Sequence, residues 1–153
     1  MTNVRLLAKQ SAILTLLAAL LALATLPACN PVASIQKRES LNQLEAATNT
    51  YRKLMRWGHF DQAAQYLRAH GETPLAKPDL EDMARFKVTS YTVADQLIAD
   101  TRTDARVTAY VEFYNIDTGV TNSVRDEQYW WYDDETRRWY LGSSMLDFAA
   151  NAD

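Results

Sequence analysis

Two polar side chains in an apolar part of the sequence have the chemistry of a general acid–base site. The segment 121–132 reads as a strand, in which successive side chains point to opposite faces. Asp126 and Gln128 therefore lie on the same face as Val124 and Trp130. A carboxylate among apolar neighbours has a raised pKa and can act as a general acid or base. The alternatives are that the strand bends, or that Asp126 lies hydrated or paired at the mouth of the fold.

Cysteine and histidine are too few in this chain for a disulfide or a Cys/His metal site. The chain has one cysteine and two histidines, which excludes an intrachain disulfide and argues against a Cys/His metal cluster. His59 and His70 bracket a predicted helix, and neither falls in a predicted strand. We therefore expect structural or solvated histidines, no nucleophile–base pair on the sheet, no metal and no other cofactor.

The single cysteine, Cys29, follows a leader-like segment. Arg5 and Lys9 stand near the start without any acidic residue, and an uncharged run, residues 11–26, comes next. This order is typical of a secretory signal peptide. The apolar run from Ala12 to Leu26 has 15 residues, whereas a membrane-spanning helix needs about 20. We expect cleavage of the segment 1–28 instead of a retained helix.

The sequence around the cysteine selects between two processing routes. Leu26, Ala28 and Cys29 resemble the lipobox of bacterial lipoproteins, although Pro27 replaces the usual small residue. The resemblance implies a thioether-linked diacylglycerol on Cys29, cleavage before it and acylation of the new amine. The competing route is ordinary cleavage after Ala24, which would release a soluble periplasmic or secreted protein.

Membrane location and domain limits follow from this interpretation. Asn30 stands where enteric-type lipoproteins retained at the inner membrane carry aspartate, so the resemblance implies the periplasmic side of the outer membrane. Residues 29–39 then form the lipidated cysteine and its tether, and residues 40–148 form one domain. The 48% hydrophobic content indicates a folded chain, and the net charge of −3 gives no support to nucleic-acid binding.

Two helices are predicted at the start of the domain. Ser40 and Gln43 fit a capping box, and apolar residues at helical spacing follow up to Gly58, a predicted left-handed cap. Residues 60–70 predict a second helix with Phe60, Ala63, Ala64 and Leu67 inward. A loop with one helical turn after Pro78 completes the helical part.

From Arg85 the apolar period changes to two, which predicts four antiparallel strands. A break is expected near residues 94–96 of the first strand. The first hairpin is predicted to pair Glu112 with Arg125, Val107 with Trp130 and Phe113 with Val124. The second hairpin is predicted to pair Trp130 with Trp139 and Tyr129 with Tyr140. One face then carries the apolar residues Val107, Ala109, Val111, Phe113, Val124, Trp130, Trp139 and Leu141, which the helices cover.

The opposite face of the predicted sheet combines aromatic and charged side chains, a composition found in protein interfaces. The alternative is a solvated face on which arginines stack on rings, for example Arg138 on Trp131. The interface candidates are Tyr110, Tyr114, Arg125, Tyr129, Trp131, Arg138 and Tyr140.

The order of elements, two helices and then a bent antiparallel sheet, resembles the nuclear-transport-factor-two-like superfamily, the cystatin-like α+β cone. The segments YRKLMRWGHFDQAAQYL and DEQYWWYDDETRRWYL also resemble small proteobacterial lipoproteins. The resemblance implies an α+β fold with helices packed on a curved four-stranded sheet. It implies no single activity, because the superfamily includes isomerases, dehydratases and non-catalytic binding or dimerisation modules.

Two functions follow for the domain. The first is a lipid-anchored, non-enzymatic envelope module that binds itself, a partner protein or an envelope component. The second is a small isomerase- or dehydratase-type enzyme that uses Asp126 in a pocket. Removing Asp126 would leave the first function intact and abolish the second.

Overall fold

A computed structural model describes residues 31–72 and 74–152, and the side chains from residue 38 onward. The predicted leader and Cys29 lie outside the described residues. The chain is α+β, with a four-stranded antiparallel sheet in the order β1-β2-β3-β4 and a few helices. The elements are α1 (Pro31–Arg56), α2 (Phe60–Ala63), a 3₁₀ turn (Ala64–Tyr66), α3 (Leu80–Met83), β1 (Phe86–Ile98), β2 (Asp104–Asn115), β3 (Thr121–Asp133), β4 (Arg138–Leu141) and a last 3₁₀ turn (Ala149–Asn151).

Helix α1 begins nine residues before the predicted start, so the prediction that Ser40 caps the helix is wrong. The preceding residues, VASIQKRE, contain no glycine or internal proline, and Pro31 suits the first helical turn. The helix ends as predicted at Gly58, whose φ is +73°. The backbone N–H of Gly58 donates to Met55 and that of His59 donates to Leu54, which is a Schellman motif.

The predicted second helix is much shorter than expected. It becomes a 3₁₀ turn at Ala64 and is extended by Leu67, which forms a parallel bridge with Leu141. The backbone N–H of Arg68 donates to the Leu141 carbonyl at 3.0 Å. In a continued helix this N–H would have donated to a carbonyl of the preceding turn. His70 therefore does not end a helix. The helical turn after Pro78 is confirmed as α3, which Asp79 caps with its carboxylate.

Both hairpins keep the predicted faces but shift by two residues from the predicted register. Asn115 accepts hydrogen bonds through its side chain from the backbone N–H groups of Asp117 and Thr118, so the turn forms earlier than expected. As a result Glu112 faces Ser123, and Arg125 faces Tyr110. The other predicted partners change in the same way, to the pairs Val107↔Gln128, Phe113↔Asn122, Trp130↔Leu141 and Trp131↔Tyr140.

The shift preserves the faces because side chains alternate with a period of two. Apart from Val124, which is partly buried, the predicted inner-face residues are buried in the hydrophobic core. Helix α1 supplies Leu44, Tyr51 and Met55 to the same core. Strand β1 contains the expected irregularity at Val93/Asp95 and a second one at Val88/Ser90. Such bulges twist an edge strand and discourage pairing with other chains.

Candidate functional site

Asp126 lies in a buried polar cluster on the inner face of β3. Only 9% of the residue is exposed. Its Oδ2 accepts hydrogen bonds from Gln128 Nε2 at 2.6 Å and from the Tyr91 hydroxyl at 3.4 Å. Burial raises the pKa of the Asp126 carboxyl, although these two donors act in the opposite direction. The prediction that Asp126 and Gln128 share the inner face is confirmed.

The neighbours of Asp126 are fixed by hydrogen bonds and ring contacts. Trp130 Nε1 donates to Gln128 Oε1 at 2.8 Å, which leaves Gln128 Nε2 to donate to Asp126 and to the Tyr91 oxygen. The Tyr51 ring packs edge-on against Tyr91 and Trp130, with centroid distances of 6.5 and 5.6 Å. Burial raises the pKa of both tyrosines. Aromatic rings thus occupy the space between α1 and the carboxylate.

Two grooves lie on the other face of the sheet. A groove of about 400 Å³ runs across the outer face beside Arg106, Thr108 and Tyr129. A neighbouring groove of about 400 Å³ is lined by Leu97, Asp104 and Tyr129. Asp126 lines neither groove. The arrangement around Asp126 can hold a proton on a carboxyl that is enclosed by Tyr91, Gln128 and Trp130.

The interface candidates fall into two groups on the outer face. Tyr110, in the middle of β2, is 50% exposed and lies between Thr92 and Arg125 of the neighbouring strands. Tyr114, next on the same face, is partly buried and pairs with Lys87 and Thr121. We call the residues Leu97, Tyr110, Tyr114 and Arg125 the open half; Leu97 is among the most exposed large apolar residues of the described chain.

The remaining candidates form what we call the clasped half, Tyr129, Trp131, Arg138 and Tyr140. The guanidinium of Arg68 lies 5.5 Å from the Trp131 ring centroid and 5.0 Å from that of Tyr140. Trp131 Nε1 donates to the Arg68 carbonyl at 2.9 Å, and Arg68 also pairs with Asp133. Arg138 lies over Tyr140, at 5.8 Å, so the expected stacking on Trp131 is made by Arg68 instead.

His70 lies outside the strands, as expected, but its side chain contacts the clasped half of the sheet. Its ring stacks on Trp131 at 4.7 Å and 8°, and its Nδ1 lies 2.6 Å from the Tyr129 hydroxyl. That hydroxyl also donates to Asp104, so its oxygen accepts from His70 Nδ1–H. The hydrogen bond from Tyr129 lowers the pKa of Asp104, while burial and the Asp104 contact raise the pKa of Tyr129 to about 12.

No pattern in the sequence indicated the His70–Tyr129–Asp104 chain of contacts. Tyr129 lies 59 residues from His70 and 25 residues from Asp104 along the chain. The contact depends on the early end of the second helix, which no local pattern indicated. Within residues 31–72 and 74–152, no group of three His, Cys, Asp or Glu side chains could hold a metal ion.

Among the helices of the described residues, none has both the length and the hydropathy for crossing a membrane. Comparison with known proteins found no matching family model, no similar curated protein and no similar solved structure.

Proposed function

We propose that this chain is a lipid-anchored, non-enzymatic interaction module of the bacterial cell envelope. It binds a protein partner through the open half of the sheet's outer face. The lipobox-like residues before Cys29 support the anchor and a location on the periplasmic side of the outer membrane. Release as a soluble periplasmic or secreted protein is the alternative location. The element order supports a sheet that curves as in the cystatin-like cone.

The observation that carries the binding role is the half-exposed Tyr110 at the centre of a sheet face. Single apolar residues are common on surfaces, but an exposed tyrosine beside an arginine in the middle of a sheet face has the composition of an interface. The aromatic rings of the clasped half already have partners in the chain itself. The open half is therefore the part of the face that can contact another molecule.

The charges on this part of the face favour a protein over other classes of partner. Lys87, Arg106 and Arg125 share the face with Asp95, Glu112 and Glu127, in rows set by the strand pairing. Three positive and three negative side chains balance. Nucleic acids and anionic lipids are attracted by an excess of positive charge, which this face lacks. A protein surface of mixed charge is the partner that matches it.

The experiment is site-specific photo-crosslinking in intact bacteria that produce the full chain. A photoreactive amino acid replaces Tyr110, and a matched control places it at Lys53, an exposed position of α1. We expect a discrete adduct from position 110 that is absent from position 53 and reduced at least fivefold by Arg125→Glu. Adducts of equal yield from both positions would rule out the open half as the binding surface. An adduct of twice the chain mass would identify the partner as a second copy.

The anchor is tested separately by mass spectrometry of the mature N-terminus. We expect a triacylated peptide that begins at Cys29, and its loss in Cys29→Ser. A mature chain that begins at Thr25 would instead establish the soluble alternative.

The enzymatic alternative rests on the raised pKa of Asp126. The rings of Tyr51 and Trp130 and the hydrogen bonds of Gln128 account for the buried carboxyl without a substrate. If Asp126→Asn keeps the crosslink from position 110 at its original yield, the binding role does not depend on the carboxyl.

A further inference from the structure

A third groove lies between α1 and the edge strand β1. Its volume is about 390 Å³, which is within the range of small-molecule sites. Helix α1 contributes Glu45, Asn49 and Arg52, at the spacing of one helix face. Strand β1 contributes the segment from Thr92 to Gln96, which contains the bulge at Val93/Asp95.

Opposite charges line this groove without neutralising one another. Arg52 faces it together with Glu45 and Asp95. Among the described residues, none forms an ion pair with Arg52. The Nε of Arg52 is buried and has no hydrogen-bond partner within the described part of the chain. The Arg52 side chain thus lines the groove with its positive charge unpaired by any carboxylate of the described residues.

Neutral hydrogen-bonding groups lie beside the charged ones. Gln96 Nε2 donates to Thr48 Oγ1 at 2.7 Å, which fixes the amide and leaves its carbonyl oxygen as an acceptor. Asn49 adds a second side-chain amide to the lining. Ala94 has no partner on β2 because of the bulge, and β1 is the edge of the sheet. Edge strands carry backbone groups that no other strand pairs.

We propose that this groove binds a short peptide that has a free carboxylate and a free ammonium group. Arg52 binds the carboxylate, because a guanidinium matches a carboxylate in shape and charge. Asp95 and Glu45 bind the ammonium group, and the amides of Asn49 and Gln96 bind the peptide amide. One positive and two negative side chains favour a zwitterion over an anion. The site shares Asp95 with the charged rows of the outer face, but it includes none of the residues of the open half.

The test is an NMR titration of the ¹⁵N-labelled mature protein with L-alanyl-L-alanine. We expect saturable shifts of the Gln96 side-chain amide and the Arg52 Nε–H, with a dissociation constant of about 1 mM for so small a ligand. N-acetyl-alanine methylamide, which has neither charge, serves as the control probe and should give no saturable shift. N-acetyl-alanyl-alanine, which keeps only the carboxylate, should bind at least tenfold more weakly.

Two variants and a matched control keep the test decisive. Arg52→Gln should weaken binding at least tenfold, whereas Lys53→Gln, the exposed neighbour on α1, should leave it unchanged. If Arg52→Gln does not fold, Glu45→Gln at an exposed position of α1 replaces it, with the same expected loss. Shifts that do not saturate, or equal affinity in the variants and the wild type, would overturn the proposal. Neither result bears on crosslinking through position 110.

Discussion

The Tyr129 hydroxyl donates a hydrogen bond to the Asp104 carboxylate across the pair β2 and β3, and its oxygen also meets His70 Nδ1. The two residues are not directly paired, since Asp104 lies opposite Trp131 and Tyr129 lies opposite Arg106. The contact is therefore diagonal, which a long tyrosine side chain can make. It links the sheet to the segment that carries Arg68 and His70.

This contact predicts a change in the titration of Tyr129. Because part of the increase of its pKa to about 12 comes from the Asp104 hydrogen bond and charge, Asp104→Asn should lower that pKa. The measurement is a ¹³Cζ NMR titration of the tyrosine rings. Glu112→Gln, a substitution at an exposed position of β2, is the control and should leave the pKa of Tyr129 unchanged. An unaltered Tyr129 curve in Asp104→Asn would disprove the contact.

The same contact predicts how Tyr129→Phe affects stability at different pH values. The pKa of Asp104 is lowered in the folded state, chiefly by the Tyr129 hydrogen bond. The ionised carboxylate therefore adds to the free energy of unfolding at pH values above the ordinary pKa of a carboxyl group. This contribution is lost as pH falls through the lowered pKa. Tyr129→Phe should therefore destabilise the domain more at about pH 7 than at about pH 2.5. Urea unfolding at both pH values measures the difference, and an equal loss at both would contradict the assignment.

For Asp126 we expect the opposite dependence of stability on pH. Burial raises its pKa in the folded state, so the folded chain binds more protons than the unfolded chain above the ordinary carboxyl range. Stability from this group is present at low pH and falls as pH rises through the raised pKa. Asp126→Asn removes the ionisation and should stabilise the domain at about pH 7, with the gain shrinking towards about pH 3.

The control for Asp126→Asn is Asp134→Asn, an exposed change in the second hairpin turn. It should shift the urea midpoint little at either pH. A loss of stability in Asp126→Asn at neutral pH would mean that the ionised carboxylate is needed by its neighbours.

The buried hydroxyl of Tyr51 predicts a substitution without cost. The residue is 1% exposed, and its hydroxyl has no hydrogen-bond partner among the described residues. Tyr51→Phe keeps the ring contacts with Tyr91 and Trp130, so stability should stay equal or rise by about 1 kcal/mol. Tyr51→Ala loses those contacts and should cost about 3–5 kcal/mol. Thermal and urea unfolding test both, and a large loss in Tyr51→Phe would reveal a hydrogen bond to the hydroxyl.

Gly142 predicts a steric effect at the clasped half. A Cβ at this position would lie 2.7 Å from Tyr129 Cδ1 and 2.9 Å from Trp131 Cδ1, so both rings would have to move. Gly142→Ala should cost about 1–3 kcal/mol and weaken the Tyr129–Asp104 contact. Gly71→Ala is a useful comparison, because a Cβ there meets no atom within 4 Å but its φ is +72°. Its cost of about 1 kcal/mol should come from the backbone, without any change in Tyr129.

The period of the apolar residues determined much of this structure. A period of two assigned Val107, Phe113 and Trp130 to one face, together with Asp126, and these residues are buried there. Face assignment survived two errors in register, because each error was an even number of residues. The sequence also marked the end of α1, since Gly58 can adopt the left-handed conformation at little cost. These features depend on local sterics and on the burial of apolar area.

Only the tertiary structure decided which side chains meet. The side chain of Asn115 fixed the first turn, and the turn fixed which residues pair across β2 and β3. The end of β4 ended the second helix at Tyr66 by pairing with Leu67 and Arg68, and this brought His70 to Tyr129 and Asp104. Residues so far apart in the chain carry no shared period. Their contact arises from backbone hydrogen bonds at a sheet end, which local sequence does not encode.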